Sequence, residues 1–173
     1  MDWRMYFLRH GIAANQAVDG SYNDALRPLT EKGRHRTSLV VCALKRIGGQ
    51  VDIIFHSPLL RAQQTAQIAA DELGVDRMQE ISELLPERSP FDLEDVLTQM
   101  RKPGENVMMV GHQPHMSHAL AWAISANNTA MLDMDTAGLA SVRFAGQSYH
   151  GPGVLEWLMT PRWVSFMFPD EKW

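Results

Sequence analysis

Met5-Tyr6-Phe7-Leu8-Arg9-His10-Gly11 joins a short apolar run to three residues of a different kind. The run reads as a buried strand over Trp3–Arg9 that carries its last side chains to the rim of a sheet. In open α/β sheets the rim at the carboxyl ends of the strands is where ligands bind. Arg9 brings a planar fork that matches an oxyanion. His10 brings a ring able to attack or to carry protons near neutral pH. Gly11 permits a sharp turn and a close approach of backbone to a ligand.

Two further runs end in a similar way. The run from Val51 to Phe55 leads into His56-Ser57-Pro58, with Arg61 following in a helix. Val107-Met108-Met109-Val110 leads into Gly111-His112, with Gln113-Pro114 opening another helix. Helix N-termini present unpaired N–H groups and partial positive charge, which suits an anion. If these ends converge on one rim, Arg9, His10, Arg61 and His112 surround one pocket.

Outward from these runs, the chain alternates strands with helices. A loop rich in Asn, Asp and Gly spans Asn15–Asp24, and Thr30 is the expected N-cap of a helix stopped by Gly48-Gly49. Strand Asp52–Ser57, helix Pro58–Leu73 and strand Met78–Ile81 follow, then a loop over Glu83–Pro90. Helix Leu93–Met100, strand Asn106–Gly111 and helix Pro114–Ser125 come next, before two late strands at Leu139–Phe144 and Val154–Met159. This order predicts a three-layer α/β/α sandwich with a mostly parallel central sheet and an antiparallel portion at the late pair. No linker or repeat interrupts it, so residues 1–173 are expected to form a single domain.

Composition narrows the function classes. Apolar content of 45% with 21% charged residues is ordinary for a globular protein with a full core. A net charge of −4 argues against a nucleic-acid partner, and it makes an arginine-lined pocket a local feature. No apolar stretch has the length of a membrane span, and the run before Arg9 is too short for a secretory leader. Cys42, the only cysteine, rules out an intramolecular disulfide and fits a reducing compartment. A cytoplasmic monomer without membrane association is therefore expected.

The chemistry of the pocket follows from its residue types. A neutral imidazole is a good nucleophile near pH 7 and needs no strong base to activate it. Attack on a phosphoryl group gives a phosphohistidine that water then cleaves, with cations and N–H donors steadying the transferred charge. On this reading no metal and no other cofactor is needed. His112, His115 and His118 stand at three-residue spacing, but no Cys, Asp or Glu accompanies them, so a structural or surface role for His115 and His118 is expected. A cysteine phosphatase is excluded, because Cys42 lies on an apolar helix face and position 48 is Gly, where an arginine is required. Cys42 is expected in the core. Asp133-Met134-Asp135-Thr136 reads as a turn and helix-cap segment, and Arg27 and Arg34 as surface arginines, although Arg27 lies near the same rim in some arrangements.

Four separated motifs, in order, carry a family resemblance. Arg9-His10-Gly11, Arg27-Pro28-Leu29-Thr30-x-x-Gly33, Ser57-Pro58-x-x-Arg61-Ala62-x-x-Thr65-Ala66 and Gly111-His112-x-Pro114 resemble those of the histidine phosphatase superfamily, with its phosphoglycerate-mutase-like fold. The short chain and the segment Leu155-x-Trp157-x-Met159-x-Pro161 look most like the small SixA-type phosphohistidine phosphatases. The resemblance implies that His10 is the nucleophile, that Arg9 and Arg61 bind the phosphoryl oxygens, and that His112 completes the pocket. Gly11 then belongs to the binding loop and Ser57 to the pocket edge. It also implies a general acid at Glu87, in Leu85-Pro86-Glu87, with Glu83 as the rival and no acid as the third option, because the leaving imidazole of a phosphohistidine can arrive already protonated. Ile12-Ala13 and Gln16 depart from the family pattern, where many members have Glu-Thr and a phosphate-contacting Asn.

The expected activity is a metal-independent phosphatase acting on phosphohistidine of a signalling protein. The alternatives are a broad small-molecule phosphomonoesterase on the same site and a non-catalytic phosphoprotein-binding module. The aromatic tail, with Trp163, Phe166, Phe168 and Trp173, is expected to pack on its own domain.

Overall fold

Successive side chains of a strand point to opposite faces, so a strand apolar at every position must be covered on both. β1 (Asp2–Arg9) obeys this rule: Met5 and Phe7 join one core cluster, while Tyr6 and Leu8 join another. β2 (Ile53–His56) and β4 (Val107–Gly111) are buried along their whole length in the same manner. The computed structural model describes residues 2–125, 130–146 and 153–171.

The helices that cover the two faces are α1 (Glu31–Arg46) and α2 (Leu60–Leu73) on one side, α3 (Leu93–Met100) and α4 (His115–Ser125) on the other. Thr30 caps α1 as expected, its hydroxyl accepting from the Gly33 amide at 2.9 Å. Gly74, left-handed at φ 71°, ends α2. With β3 (Met78–Glu80), β5 (Leu139–Ala145) and β6 (Val154–Met159) the sheet runs β3-β2-β4-β1-β5-β6. The first four strands run parallel to one another, β5 runs antiparallel to β1, and β6 antiparallel to β5.

This order creates a switch point in the middle of the sheet. β1 and β4 are adjacent, but the chain leaves β1 for α1 on one face and leaves β4 for α4 on the other. The two loops diverge and open a crevice above the carboxyl ends of β1 and β4, where ligands bind in open α/β sheets.

Two expectations are corrected. The segment Asp133–Thr136 caps no helix: it is irregular up to a turn over Asp135–Gly138, closed by Gly138 N–H on the Asp135 carbonyl at 2.7 Å, which leads into β5. Cys42 is only half-buried, and its thiol donates to Glu72 at 3.2 Å. The tail follows the short helix α5 (Pro161–Val164). Phe168 is buried beneath Arg46, whereas Trp163 and Phe166 face outward, and Trp173 lies outside the described residues.

Candidate active site

Register brings the two histidines together. Arg9 on β1 pairs with Gly111 on β4, and the His10 amide donates to the Gly111 carbonyl at 3.0 Å. One step beyond these strand ends, the rings of His10 and His112 lie with centroids 5.0 Å apart. The backbone after His10 passes so close to α1 that a Cβ on Gly11 would stand 2.9 Å from the Gly33 carbonyl and 2.6 Å from the Thr37 hydroxyl. The Gly11 amide donates to Thr65 Oγ1 at 3.1 Å, and that hydroxyl donates to the Arg61 carbonyl at 2.8 Å. Two of the sequence motifs are thereby joined through one threonine.

His10 is held in one tautomer. Its Nδ1 lies 2.7 Å from the Gly11 carbonyl, and a carbonyl only accepts, so Nδ1 carries the hydrogen and Nε2 keeps the lone pair. Burial pushes the ring's pKa down. The Gly11 hydrogen bond opposes this and the charges of Arg61, Arg9 and Arg27 reinforce it, leaving a value of about 4. At neutral pH the ring is therefore uncharged, with Nε2 available for attack.

His112 is buried, with its Nε2 2.8 Å from the Ser57 hydroxyl. Burial, then the neighbouring His10 and Arg61, lower its pKa to about 3, against the opposing charge of Asp24. Its Nδ1 is buried without a hydrogen-bond partner. Ser57, expected at the pocket edge, is fully buried and engages His112.

The arginines flank this pair. Arg9 donates through Nη1 to the Met134 carbonyl at 2.6 Å, and its Nε is buried without a partner. Burial lowers its pKa while Asp133 and Asp135 oppose the shift; a guanidinium stays charged regardless. Arg61, from the first turn of α2, is buried and bound to Asp24. A cavity of about 580 Å³ leads outward from Arg9 between Gln113, His118, Met131 and Asp133.

Arg9, His10, Arg61 and His112 thus meet at one rim. Glu87 is exposed, and neither it nor Glu83 is among the charges that chiefly act on His10 or His112. The acid that does act there is Asp24, which lies in the loop after β1 and which no sequence motif marked. Arg27, expected as a surface arginine, is half-buried and contributes to the field at His10. His115 is buried on α4 and His118 is exposed, and among the described residues no set of His, Cys, Asp and Glu gathers as a metal site.

Comparison with known proteins accords with this geometry. Residues 5–101 match the family model of the histidine phosphatase superfamily (branch 1). An uncharacterized protein of Picosynechococcus sp. is 38% identical over 92% of this chain and 98% of its own length. The phosphohistidine phosphatase SixA of Escherichia coli is 28% identical, covering 91% of this chain and 94% of its own. The solved structure of the protein histidine phosphatase SixA complexed with tungstate superposes with a TM-score of 0.78 at 27% identity, over 92% of this chain and 97% of that one. The chain belongs to the histidine phosphatase superfamily.

Proposed function

We propose that this phosphatase removes the phosphoryl group from phosphohistidine on a signalling protein in the cytoplasm, through a phosphorylated His10. The observation that carries the reading is the neutral, tautomer-locked His10 ring facing His112, with the charges of Arg9 and Arg61 directed at it. In the first step the Nε2 lone pair forms an N–P bond as the substrate's P–N bond breaks. The leaving imidazole takes that electron pair and departs neutral when its other nitrogen is already protonated. Such a leaving group needs no carboxylic acid. In the second step water attacks phosphorus, the P–Nε2 bond breaks, and phosphate leaves with the His10 ring restored. Arg9, Arg61 and His112 steady the equatorial oxygens in both steps, and Gly11 lets the backbone approach them.

Support for a protein-borne phosphate comes from the surroundings. Tyr22 and Leu26, exposed, flank the Asp24 turn on one side, and Met131, fully exposed, lines the cavity beside Arg9 on the other. Exposed apolar side chains around a polar pocket fit a macromolecular surface. The SixA relatives carry the same substrate in their names.

Brief incubation with a labelled phosphohistidine-bearing domain should trap an acid-labile, base-stable phosphoenzyme that is absent in His10→Ala. Phosphoenzyme persisting in that variant would remove His10 as nucleophile. Faster turnover of sugar phosphates than of the domain would favour the small-molecule alternative.

A further inference from the structure

Arg61 meets one residue twice. Its Nη1 donates to the Asp24 backbone carbonyl at 2.8 Å and its Nη2 to the Asp24 carboxylate at 3.0 Å. A guanidinium offers two planar forks, an end-on pair made by Nη1 and Nη2 and a side-on pair made by Nε and Nη2. Asp24 takes the end-on fork. Nε is buried without a hydrogen-bond partner, and Nη2 has a second hydrogen, so the side-on fork stays open. The Arg61 charge acts on both His10 and His112, and the Gly11 amide–Thr65–Arg61 carbonyl chain ties its turn to the His10 loop, so the guanidinium lies near the two rings.

Asp24 is itself fixed. Its other carboxylate oxygen receives Arg27 through Nε at 2.8 Å and Nη2 at 2.7 Å. Arg27 Nη1 reaches back to the Ala14 carbonyl at 3.0 Å. The loop that carries Asp24 is closed at its neck by the Ala13–Leu29 bridge and by Ala14 N–H on the Pro28 carbonyl at 2.8 Å. The Leu29 amide donates to Gln64 of α2 at 2.8 Å, so neck and helix are one frame. Asn23 caps the turn Asp24–Leu26 by accepting from the Ala25 amide. A carboxylate braced in this way holds a guanidinium plane in one orientation, at no cost to the fork it does not touch.

We propose that Asp24 is the positioning residue for phosphoryl recognition, holding the end-on fork of Arg61 so that the side-on fork grips the group transferred to His10. It acts through Arg61 and does not touch substrate. The proposal rests on the phosphoryl-transfer reading of the site, and tungstate binding separates the failure of one from the failure of the other.

The test compares Asp24→Ala, Asp24→Glu, Arg61→Ala and the Asp24→Ala/Arg61→Ala double variant, each as the full chain. Readouts are the dissociation constant for tungstate and the kcat and KM for phosphohistidine. Asp24→Ala should weaken tungstate about 10- to 100-fold, the scale of one charge-assisted hydrogen bond, and lower kcat more than it raises KM. In the Arg61→Ala background the same change should add nothing, and Asp24→Glu should recover most of the affinity. Losses that add in the double variant would overturn the proposal. So would unchanged or tighter tungstate binding in Asp24→Ala, the latter because it would make the carboxylate a competitor for the fork. If Arg61→Ala itself leaves tungstate binding intact, the phosphate-site reading falls and the proposal with it.

Discussion

β1 carries an arginine near each end, and the surroundings of the two could hardly differ more. Arg4, near the start, has its side chain 43% exposed and gives Nε and Nη2 to Glu156 at 2.8 and 3.1 Å. Glu156 also takes the Ser141 hydroxyl at 3.0 Å and lies 3.6 Å from Arg143, which pairs with Asp2 at 3.0 Å. Arg9, at the other end, forms no salt bridge among the described residues, and its Nε is buried without a partner. Charge alone therefore does not mark a site. The first cluster is neutralised within itself and stands at the amino ends of the parallel strands. In the second, hydrogen-bonding capacity remains at the carboxyl ends, beside two uncharged imidazoles.

The largest way to break this contrast is to exchange arginine for alanine at each end. Arg9→Ala and Arg61→Ala should each lower kcat/KM by about 10²- to 10³-fold, the scale for removing a donor aimed at developing charge. Arg4→Ala should leave kcat/KM within about twofold, because Arg4 serves only an exposed ion pair. Steady-state kinetics on a phosphohistidine substrate decides it, and comparable losses at both ends would mean that the Arg4 cluster is part of the machinery.

A second effect follows from the depressed histidines. The folded-state pKa of His10, about 4, lies below the ordinary value of 6.5, so the unfolded chain binds the proton first. Stability from this ring is present above pH 6.5 and is lost as pH falls towards 4. His112, at about 3, acts in the same direction and over a wider window. Melting temperature should therefore drop more steeply between pH 6.5 and 4 in the native chain than in His10→Ala. A ring resonance of His10 that titrates near 6.5 in the folded protein would remove the basis for this expectation.

Much of the fold and part of the site were legible in the sequence, for a physical reason. Periods of 2 and 3.6 set strands and helices, and caps such as Thr30 and Gly74 set their ends, all from residues close in the chain. Arg9, His10, Arg61 and His112 sit within a few residues of such ends, so placing the strands placed them too. Asp24 was not legible, because it reaches Arg61 across 37 positions through a loop whose path depends on the Ala13–Leu29 bridge. Glu87 shows the converse: the motif was present but said nothing of direction. Leu84 is fully buried, and the turn that follows, closed by Arg88 N–H on the Leu85 carbonyl, leaves Glu87 exposed. The Ser57–His112 bond lay between these cases, since both residues were singled out but not their contact.

The smallest expected effect sharpens what the Arg4 cluster is for. An exposed ion pair contributes about 0–1 kcal/mol, so Arg4→Ala should lower stability by no more than that. Glu156→Ala should cost more, because Ser141 is fully buried and would lose the acceptor for its hydroxyl, a loss of about 1–3 kcal/mol. Glu156→Gln keeps an acceptor and should fall between the two. The hydrogen bond from Arg4, followed by the opposing effect of burial, sets the carboxyl's pKa below its ordinary value, so its contribution is present above that value and is lost as pH falls through the folded one. Urea unfolding of the three variants at neutral pH, with kcat/KM measured alongside, tests the ranking. Stability that falls in the order given while activity stays level would make the cluster a fastening of β1, β5 and β6, whereas equal stability losses in all three would tie the effect to the ion pair and not to the buried hydroxyl.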